Sequence, residues 1–253
     1  MMKVWKSICI LCSCLLILSG CFQKEEKKEP KKKKVEAIPV TAEYGGRELK
    51  KVGQAVKEKG WGTFKLQKLK HVNQTFEVAP VKIHVQDVKV IELSQMSKEA
   101  KDTLKVYTAL SPEEVQRRLG DKVSQEDAEL YASLSGQEIK DTIRYVEISY
   151  KVENSGDKAM QFSAINDVMI NETQQFNVTK QNFLYEENTI AGTESVSREE
   201  YNPGETRDGM IGLILEDGKT DVTNISFTTD VLASKDTHET ISEPRTFNIA
   251  LSK

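Results

Sequence analysis

The chain has 253 residues, with 36 Lys and Arg against 39 Asp and Glu, a net charge of −3 at pH 7. This charge is unevenly divided: residues 22–34 hold seven Lys and three Glu, a net +4, whereas residues 35–253 carry −9 from 27 basic and 36 acidic residues. An acidic body lacks the basic footprint that phosphate backbones require, so nucleic acid is excluded as an expected partner. All four cysteines lie within residues 9–21, which leaves the body without a thiol for a disulfide or a thiolate metal site.

The first twenty residues are predicted to be a secretion signal. Lys3 and Lys6 provide a basic start, and residues 8–18 are apolar apart from Ser13. This run is shorter than the roughly 20 apolar residues that a bilayer span needs. It matches the hydrophobic region of a signal peptide, which is usually about 7–15 residues long.

The signal ends in Leu18-Ser19-Gly20-Cys21, which resembles the lipobox of bacterial lipoproteins. The resemblance implies cleavage before Cys21, a thioether-linked diacylglycerol on its sulfur and a further acyl group on its amine. Two or more acyl chains anchor a protein durably, whereas a single chain binds a membrane only marginally. The alternatives are an ordinary secreted protein that is cut nearby and an uncleaved signal anchor.

A flexible linker is predicted over residues 21–60, after the lipidated cysteine. Residues 24–34 are almost entirely Lys and Glu, a composition that cannot bury enough apolar surface to fold. Within residues 44–60 the helical spacing of Leu49, Val52, Ala55 and Val56 predicts a short amphipathic helix.

From Trp61 the pattern changes to that of β-strands, with apolar residues at alternate positions. The alternation over Val81, Ile83 and Val85 slips by one at residues 86–87 and then resumes, which predicts a β-bulge. Residues 97–136 interrupt the strands with two or three helices. Ser111 and Ser124 are predicted to begin two of these helices. Val115 and Leu119 share one face of the first helix, and Ala128, Tyr131 and Leu134 are predicted to face inward on the second.

Strands return at residue 145, and the whole set amounts to eight or nine short strands separated by frequent turns. This is typical of a β-sandwich. We therefore predict a mainly β fold over residues 61–253, an immunoglobulin-like antiparallel sandwich with a helical insertion at about 97–136. The predicted core residues are Ile148, Tyr150, Phe162, Leu213 and Phe227.

A long polar loop over residues 182–205 is the predicted partner-binding segment. Unstructured loops longer than about 12–15 residues are uncommon and often functional. Aromatic residues on a polar surface are frequent anchors of interfaces. The alternative is that the aromatic residues pack back onto the sandwich and the loop is inert. The candidate binding residues are Phe183, Leu184, Tyr185, Glu186, Glu187 and Tyr201.

Three stretches resemble one group of bacterial surface lipoproteins. They are residues 81–93, residues 145–162 with the sequence V-E-N-S-G-D-K, and Asn202-Pro203-Gly204-Glu205 before an apolar strand. That group carries an immunoglobulin-like domain of unknown function and is related to the immunoprotective extracellular proteins. The resemblance covers residues 61–253 without the helical insertion. It implies a sandwich displayed at the cell surface, and it supplies no catalytic residue.

No catalytic or metal-binding pattern stands out in the sequence. His71, His84 and His238 lack the spacing of metal ligands, and no nucleophile elbow, phosphate-binding loop or dinucleotide fingerprint occurs. We therefore expect a non-enzymatic binding module without a cofactor or metal, held on the membrane through Cys21 and facing outside the cytoplasm. Its partner would be a protein or an envelope polymer. The alternatives are an envelope structural protein without a specific ligand and a hydrolase with a scattered carboxylate site.

Overall fold

A computed structural model describes residues 37–110, 112–120, 123–185, 199–216 and 218–251. The predicted signal, the lipobox, Cys21 and the Lys/Glu-rich segment lie outside the described residues, as do Glu186 and Glu187 of the predicted binding loop. In the part of the chain that is described, no helix is both long enough and apolar enough to cross a bilayer.

The fold is mainly β, built from antiparallel sheets with a helical insertion, as predicted. The strands are β1 Val40–Thr41, β2 Ala55–Glu58, β3 Gly62–Val78, β4 Val81–Ser94, β5 Thr142–Asn154, β6 Met160–Phe162, β7 Asp167–Ile170, β8 Gln174–Asn177, β9 Glu199–Tyr201, β10 Thr206–Ile214, β11 Asn224–Thr228, β12 Leu232–Ser234, β13 Thr240–Ser242 and β14 Thr246–Ala250. The helices are α1 Lys98–Val106, α2 Pro112–Leu119, α3 Gln125–Leu134, α4 Val178–Gln181 and a single 3₁₀ turn, η1 Gly45–Glu48.

A six-stranded sheet in the order β1-β2-β3-β4-β5-β10 forms the centre of the molecule. Its pairs are antiparallel apart from β1, which lies parallel to β2. One rung of residues crosses five strands, from Val40 through Lys57, Thr63 and Ser94 to Thr142. The start of β1 and both ends of the helical insertion therefore lie at the same end of this sheet.

Two four-stranded sheets accompany the large one, in the orders β14-β11-β7-β8 and β13-β12-β6-β9. Their apolar side chains and those of one face of the six-stranded sheet form the first core. The five predicted core residues, Ile148, Tyr150, Phe162, Leu213 and Phe227, all belong to it, and none is more than 1% exposed. The prediction of this core is confirmed.

A second core covers part of the opposite face of the six-stranded sheet. Because neighbouring residues of a strand point to opposite faces, Val146 belongs to the first core and Tyr145 to the second. Helix α1 and the segment around η1 cover this second face through buried apolar side chains, among them Tyr44, Leu49 and Leu104.

The folded body therefore begins at about Ile38 rather than at Trp61, since β1 and β2 are part of the central sheet and the residues around η1 pack in the second core. The amphipathic helix expected over residues 44–60 is wrong. Gly53 has φ +85° and makes a turn, after which Ala55 and Val56 pair with β3. Val52, which the helical spacing placed on an apolar face, is 64% exposed.

The predicted β-bulge is confirmed, because the pairing of β4 with β5 shifts register between Val85 and Asp87. The helical insertion is also present, as α1, α2 and α3. Ser124 caps α3 by accepting a hydrogen bond from the Asp127 amide. Ser111, the predicted cap of α2, lies outside the described residues.

The inward faces of the insertion differ from the prediction. Val115, Ala128 and Ala132 form a small core between α2 and α3. Tyr131 and Leu134, which are predicted to face inward, are instead exposed. Leu119 is exposed as well, although it is predicted to share a face with the buried Val115. The helices pack through alanines, and this close approach leaves the larger side chains of α3 on the outside.

Candidate functional site

Three of the predicted partner-binding side chains are buried. Phe183, Leu184 and Tyr201 are each 0% exposed, so the expectation that they are surface anchors is wrong. Tyr185 is half-buried, and Glu186 and Glu187 lie outside the described residues.

Asn182 accounts for the burial of the neighbouring aromatic residue. Its side-chain oxygen accepts a hydrogen bond from the Gly212 amide at 2.8 Å, which fixes the segment along the edge of β10. Phe183 then packs edge-on against Tyr145, with ring centroids 4.9 Å apart. The segment predicted to be a polar loop thus includes Phe183 and Leu184, which pack in the second core.

A buried cluster of ionisable groups lies beneath η1 in the second core, and we call it the polar clamp. It consists of Tyr44, Glu58, Lys89, Tyr145 and Glu147, which come from the segment before η1, β2, β4 and β5. Each of these residues is at most 5% exposed. Five ionisable side chains in one buried region are unusual, because an unpaired buried charge is strongly unfavourable.

The clamp is held together by short polar contacts. Lys89 Nζ lies 2.8 Å from Glu147 Oε1, and it donates a hydrogen bond of 2.9 Å to the Gly46 carbonyl. Tyr44 donates its hydroxyl proton to Glu147 Oε2 at 2.6 Å. Because that proton is committed, Tyr145 donates to the Tyr44 oxygen, also at 2.6 Å.

The other carboxylate of the clamp, Glu58, binds the backbone of η1. Its Oε2 accepts a hydrogen bond from the Gly45 amide at 2.7 Å. The backbone of η1 passes so close to the clamp that only glycine fits at Gly46. A Cβ there would lie 2.3 Å from the Tyr44 hydroxyl and 2.5 Å from Glu147 Oε2.

Burial shifts the ionisation of several clamp residues. Desolvation raises the pKa of Glu58 to about 7, although the Gly45 amide opposes this shift. Desolvation, followed by the nearby charge of Glu147, raises the pKa of Tyr44 and of Tyr145 well above the ordinary value for tyrosine. Both tyrosines therefore remain neutral hydrogen-bond donors at any physiological pH.

The arrangement of the clamp is suited to fixing η1 on the sheet. Lys89 and Glu58 together hold the Gly46 carbonyl and the Gly45 amide, which are the backbone groups of the turn itself. Gly45 and Gly46 are both buried, so η1 covers the polar groups. Groups with strongly shifted pKa values are often catalytic, but structural ion-pair networks produce the same signature.

A separate concave region, the insertion cleft, lies where the helical insertion leaves the six-stranded sheet. Its volume is about 270 Å³. Its lining combines apolar side chains, including Leu110, Ile143 and Phe176, with nine polar ones, of which five are charged, including Arg144. Arg144 is held in place because its Nη1 donates to the carbonyls of Gly218 and Thr220.

The histidines take part in surface contacts rather than in a site. His71 Nδ1 lies 2.6 Å from Asp87 Oδ1, and His84 Nδ1 lies 3.0 Å from Thr75 Oγ1 across neighbouring strands. Across the described ranges, no group of three or more His, Cys, Asp or Glu side chains converges in the way a metal ion requires.

The sequence reasoning missed the polar clamp. Glu147 alternates with Val146 and Ile148, which predicts a solvated side chain, yet it is 1% exposed. One signal was available: Tyr145 is in phase with Glu147 along β5, and an aromatic residue on a supposedly solvated face indicates that the face is covered. Nothing in the local pattern identifies Tyr44 and Gly45 as the cover.

No protein-family profile matches the sequence. No curated protein matches it either.

Among solved structures, three bacterial proteins are similar to this one. A functionally unknown protein from Listeria monocytogenes EGD-e has a TM-score of 0.40 and 10% identity, over 76% of this chain and 88% of its own. A conserved hypothetical protein from Bacillus anthracis has a TM-score of 0.34 and 14% identity, over 64% and 91%. The yjhA protein from Bacillus subtilis has a TM-score of 0.38 and 14% identity, over 72% and 98%. Likenesses this distant carry no argument about function.

Proposed function

We propose that this chain is a lipid-anchored protein facing outside the cytoplasm, whose body is a non-catalytic module that binds a small ligand with both apolar and polar groups. The anchor is supported by the sequence, through the short apolar run and the Leu18–Cys21 motif that resembles a lipobox. The binding role is supported chiefly by the insertion cleft.

The cleft is concave like a ligand site, although its lining is more polar than is usual for one. Such sites are concave and mostly apolar, with a few fixed polar groups that orient the ligand. Here Leu110, Ile143 and Phe176 supply apolar surface, and Arg144 is a cation whose position is set by two backbone carbonyls. Its volume of about 270 Å³ limits the occupant to a small molecule or to a single side chain of a partner.

The polar clamp fixes the segment of the body that follows the predicted flexible linker. The N-terminal segment enters through β1 and η1, which are held by pairing with β2 and by the contacts of Lys89 and Glu58 with η1. The clamp therefore has a structural explanation, the fixing of η1 on the sheet, and does not require a catalytic one.

We further propose that the sheets are an elaborated immunoglobulin-like sandwich. The support is the first core, which lies between the six-stranded sheet and the two smaller antiparallel sheets. Relative to a simple sandwich of this type, the additional elements are the strands β1 and β2 and the helical insertion between β4 and β5.

A second candidate function, a hydrolase with a carboxylate acid or base, is favoured by one observation. Glu58 has a pKa of about 7, near the value that suits a general acid or base at neutral pH. Against this, its Oε2 is bound to the Gly45 amide and the side chain is 3% exposed. Loss of a purified hydrolytic activity in the Glu58→Gln variant would favour the hydrolase over the binding module.

The anchor is tested by detergent-phase partitioning of the full chain against Cys21→Ala. We expect the wild type in the detergent phase with incorporated fatty acid, and the variant in the aqueous phase without it. Equal partitioning of the two, with no fatty acid in either, would contradict the anchor.

The binding role is tested with a fluorescent probe that has an apolar body and an anionic group, 1-anilinonaphthalene-8-sulfonate. Gly218 lines the cleft, so Gly218→Trp places an indole ring at its edge, and a Cβ at this position meets no atom within 4 Å, so the fold should tolerate the change. The matched control is Asn248→Trp at an exposed position of β14. We expect saturable probe fluorescence that Gly218→Trp abolishes and Asn248→Trp retains; equal fluorescence in both variants would remove the cleft as the site.

A further inference from the structure

We propose that the ligand of the insertion cleft is a small monocarboxylate with an apolar body, and that Arg144 is the residue that selects the carboxylate. This inference rests on the proposed binding function of the cleft. It deepens that function by naming the chemical class of the ligand and the side chain that recognises it.

The Arg144 side chain does not form the ion pair that its position in the sheet offers. Arg144 lies directly opposite Glu92 in the pairing of β4 with β5, and opposite charges at such positions attract each other. The Glu92 carboxylate instead accepts a hydrogen bond from Gln67 at 3.1 Å. Nη1 of Arg144 donates to the carbonyls of Gly218 and Thr220 at 3.2 Å and 3.1 Å, beyond the end of β10. The guanidinium is thus held at the cleft by neutral groups rather than by a carboxylate.

The guanidinium keeps donors that the described residues do not use. It carries five N–H groups, and both described bonds come from Nη1. Nε is buried and finds no acceptor among the described residues, so the protein compensates the positive charge incompletely. Nη2 likewise has no acceptor in the described part of the chain, and it is the nitrogen left to meet a ligand. Charge-assisted hydrogen bonds from arginine to a carboxylate are about twice as strong as neutral ones.

The formal charges of the cleft lining favour an anion with a single negative charge. The lining holds three cations, Lys140, Arg144 and Lys219, and two carboxylates, Glu138 and Glu216, so its net charge is +1. One carboxylate neutralises this charge. A group with two negative charges, such as a phosphate monoester, would leave excess negative charge beside Glu138 and Glu216. The charge balance therefore favours a carboxylate over a phosphate.

The apolar part of the cleft lies where the two cores meet, next to Arg144. Phe176 and Leu215 belong to the first core, Ile143 and Ile214 belong to the second, and all four line the cleft. Ile143 precedes Arg144 in β5, and the Leu215 amide donates to the Arg144 carbonyl at 2.9 Å. A ligand whose carboxylate meets Arg144 can therefore place a short apolar chain against these side chains, within a volume of about 270 Å³.

The test compares the binding of hexanoate and of its uncharged counterpart, hexanamide, to the full chain by isothermal titration calorimetry. The variant is Arg144→Gln. The matched control is Lys140→Gln, which removes the same charge from the same cleft at an exposed side chain. Comparing the two variants separates the loss of a positioned donor from the loss of charge alone.

We expect hexanoate to bind the wild type more tightly than hexanamide does. Arg144→Gln should weaken hexanoate at least about tenfold, because it removes a hydrogen bond to a charged group, and should leave hexanamide unchanged. Lys140→Gln should weaken hexanoate less than about threefold, since exposed charges contribute little.

Equal binding of the two ligands by the wild type would overturn the carboxylate, and equal weakening of hexanoate by the two variants would overturn the role of Arg144. Equal weakening of both ligands in Arg144→Gln would also overturn it, by showing that Arg144 only holds residues 218–220 in place. If the wild type binds neither ligand, this inference is wrong. The proposed function then still stands if Gly218→Trp abolishes saturable 1-anilinonaphthalene-8-sulfonate fluorescence, and it fails as well if that fluorescence is absent or unaffected.

Discussion

The two faces of the six-stranded sheet are built from the same strands but by different means. On the first face, Val146, Ile148 and Tyr150 meet apolar side chains from the smaller sheets. On the second face, Tyr145 and Glu147 meet η1, and the contact combines aromatic packing with a buried ion pair.

This difference follows from the kind of element that packs on each face. The first is covered by strands, whose own alternation supplies apolar side chains. Part of the second face is covered by the tight turn at Gly45 and Gly46. The backbone N–H and C=O groups of this turn are buried, so they need hydrogen-bond partners. Lys89 and Glu58 supply those partners, so the polar clamp is a consequence of covering a sheet with bare backbone.

Removing apolar volume from the first core should have a large effect on stability. Phe162→Ala deletes a side chain that is 1% exposed, and such changes typically cost about 3–5 kcal/mol. Lys151→Ala is the control, since it removes only an exposed ion pair with Asp208, worth about 0–1 kcal/mol. Urea unfolding should give a clearly lower midpoint for Phe162→Ala, and coincident midpoints would mean that the face is misassigned.

Breaking the ion pair of the second face should cost nearly as much. Lys89→Met leaves the Glu147 charge buried without its partner, a change that usually costs about 3–5 kcal/mol. Adding Glu147→Gln removes that charge and keeps an oxygen for Tyr44, so the double variant should regain stability relative to Lys89→Met. If the losses of the two single variants simply add, the pair is not coupled and the clamp does not act as a unit.

The stability of the second face should also depend on pH. The pKa of Glu58 is about 7 in the fold against an ordinary value of 4.5, because burial disfavours its charged form. The folded state therefore holds this proton more tightly, and its stabilising effect is complete below pH 4.5 and lost as the pH rises through 7. The groups facing Glu58 are the Gly45 amide and Tyr145, and neither titrates in this range.

A pH series of urea unfolding measures this effect, which is on the order of 3 kcal/mol at about 1.4 kcal/mol per pKa unit. Glu58→Gln keeps an oxygen acceptor for Gly45 but has no proton to lose. The difference in stability between wild type and variant should therefore change across pH 4.5–7. A difference that stays constant over that range would show that Glu58 is not buried as a neutral acid.

Filling the narrow gap under η1 should have the smallest of these effects. Gly46→Ala forces a methyl group against Tyr44 and Glu147, and overpacking of this kind costs about 1–3 kcal/mol. Gly218→Ala meets no neighbouring atom and serves as the matched control. The midpoint of thermal unfolding should fall for Gly46→Ala and stay unchanged for Gly218→Ala. An equal fall in both variants would count against close packing at η1.

The same comparison explains how much the sequence could predict. Three predictions are confirmed because residues close together in the chain specify each feature. They are the alternation around Ile148, the bulge after Val85 and the helical insertion. The local alternation predicts that the Glu147 side chain is solvated. The residue that covers it, Tyr44, lies about a hundred residues away in the chain, so the local pattern does not reveal the burial. Phe183 was assigned to a surface loop because its burial depends on Asn182 bonding to β10, a contact that local polarity does not reveal.

Hydrogen exchange at the Gly45 amide tests the central claim most directly, the claim that the polar clamp fixes the N-terminal segment on the sheet. This amide donates to Glu58 Oε2 rather than to a strand partner, so its protection depends on the clamp. We predict protection in the wild type comparable to that of amides in β2, with a large loss in Lys89→Met while the first core stays protected. Exchange of Gly45 at the rate of an unstructured peptide in the wild type would contradict the account.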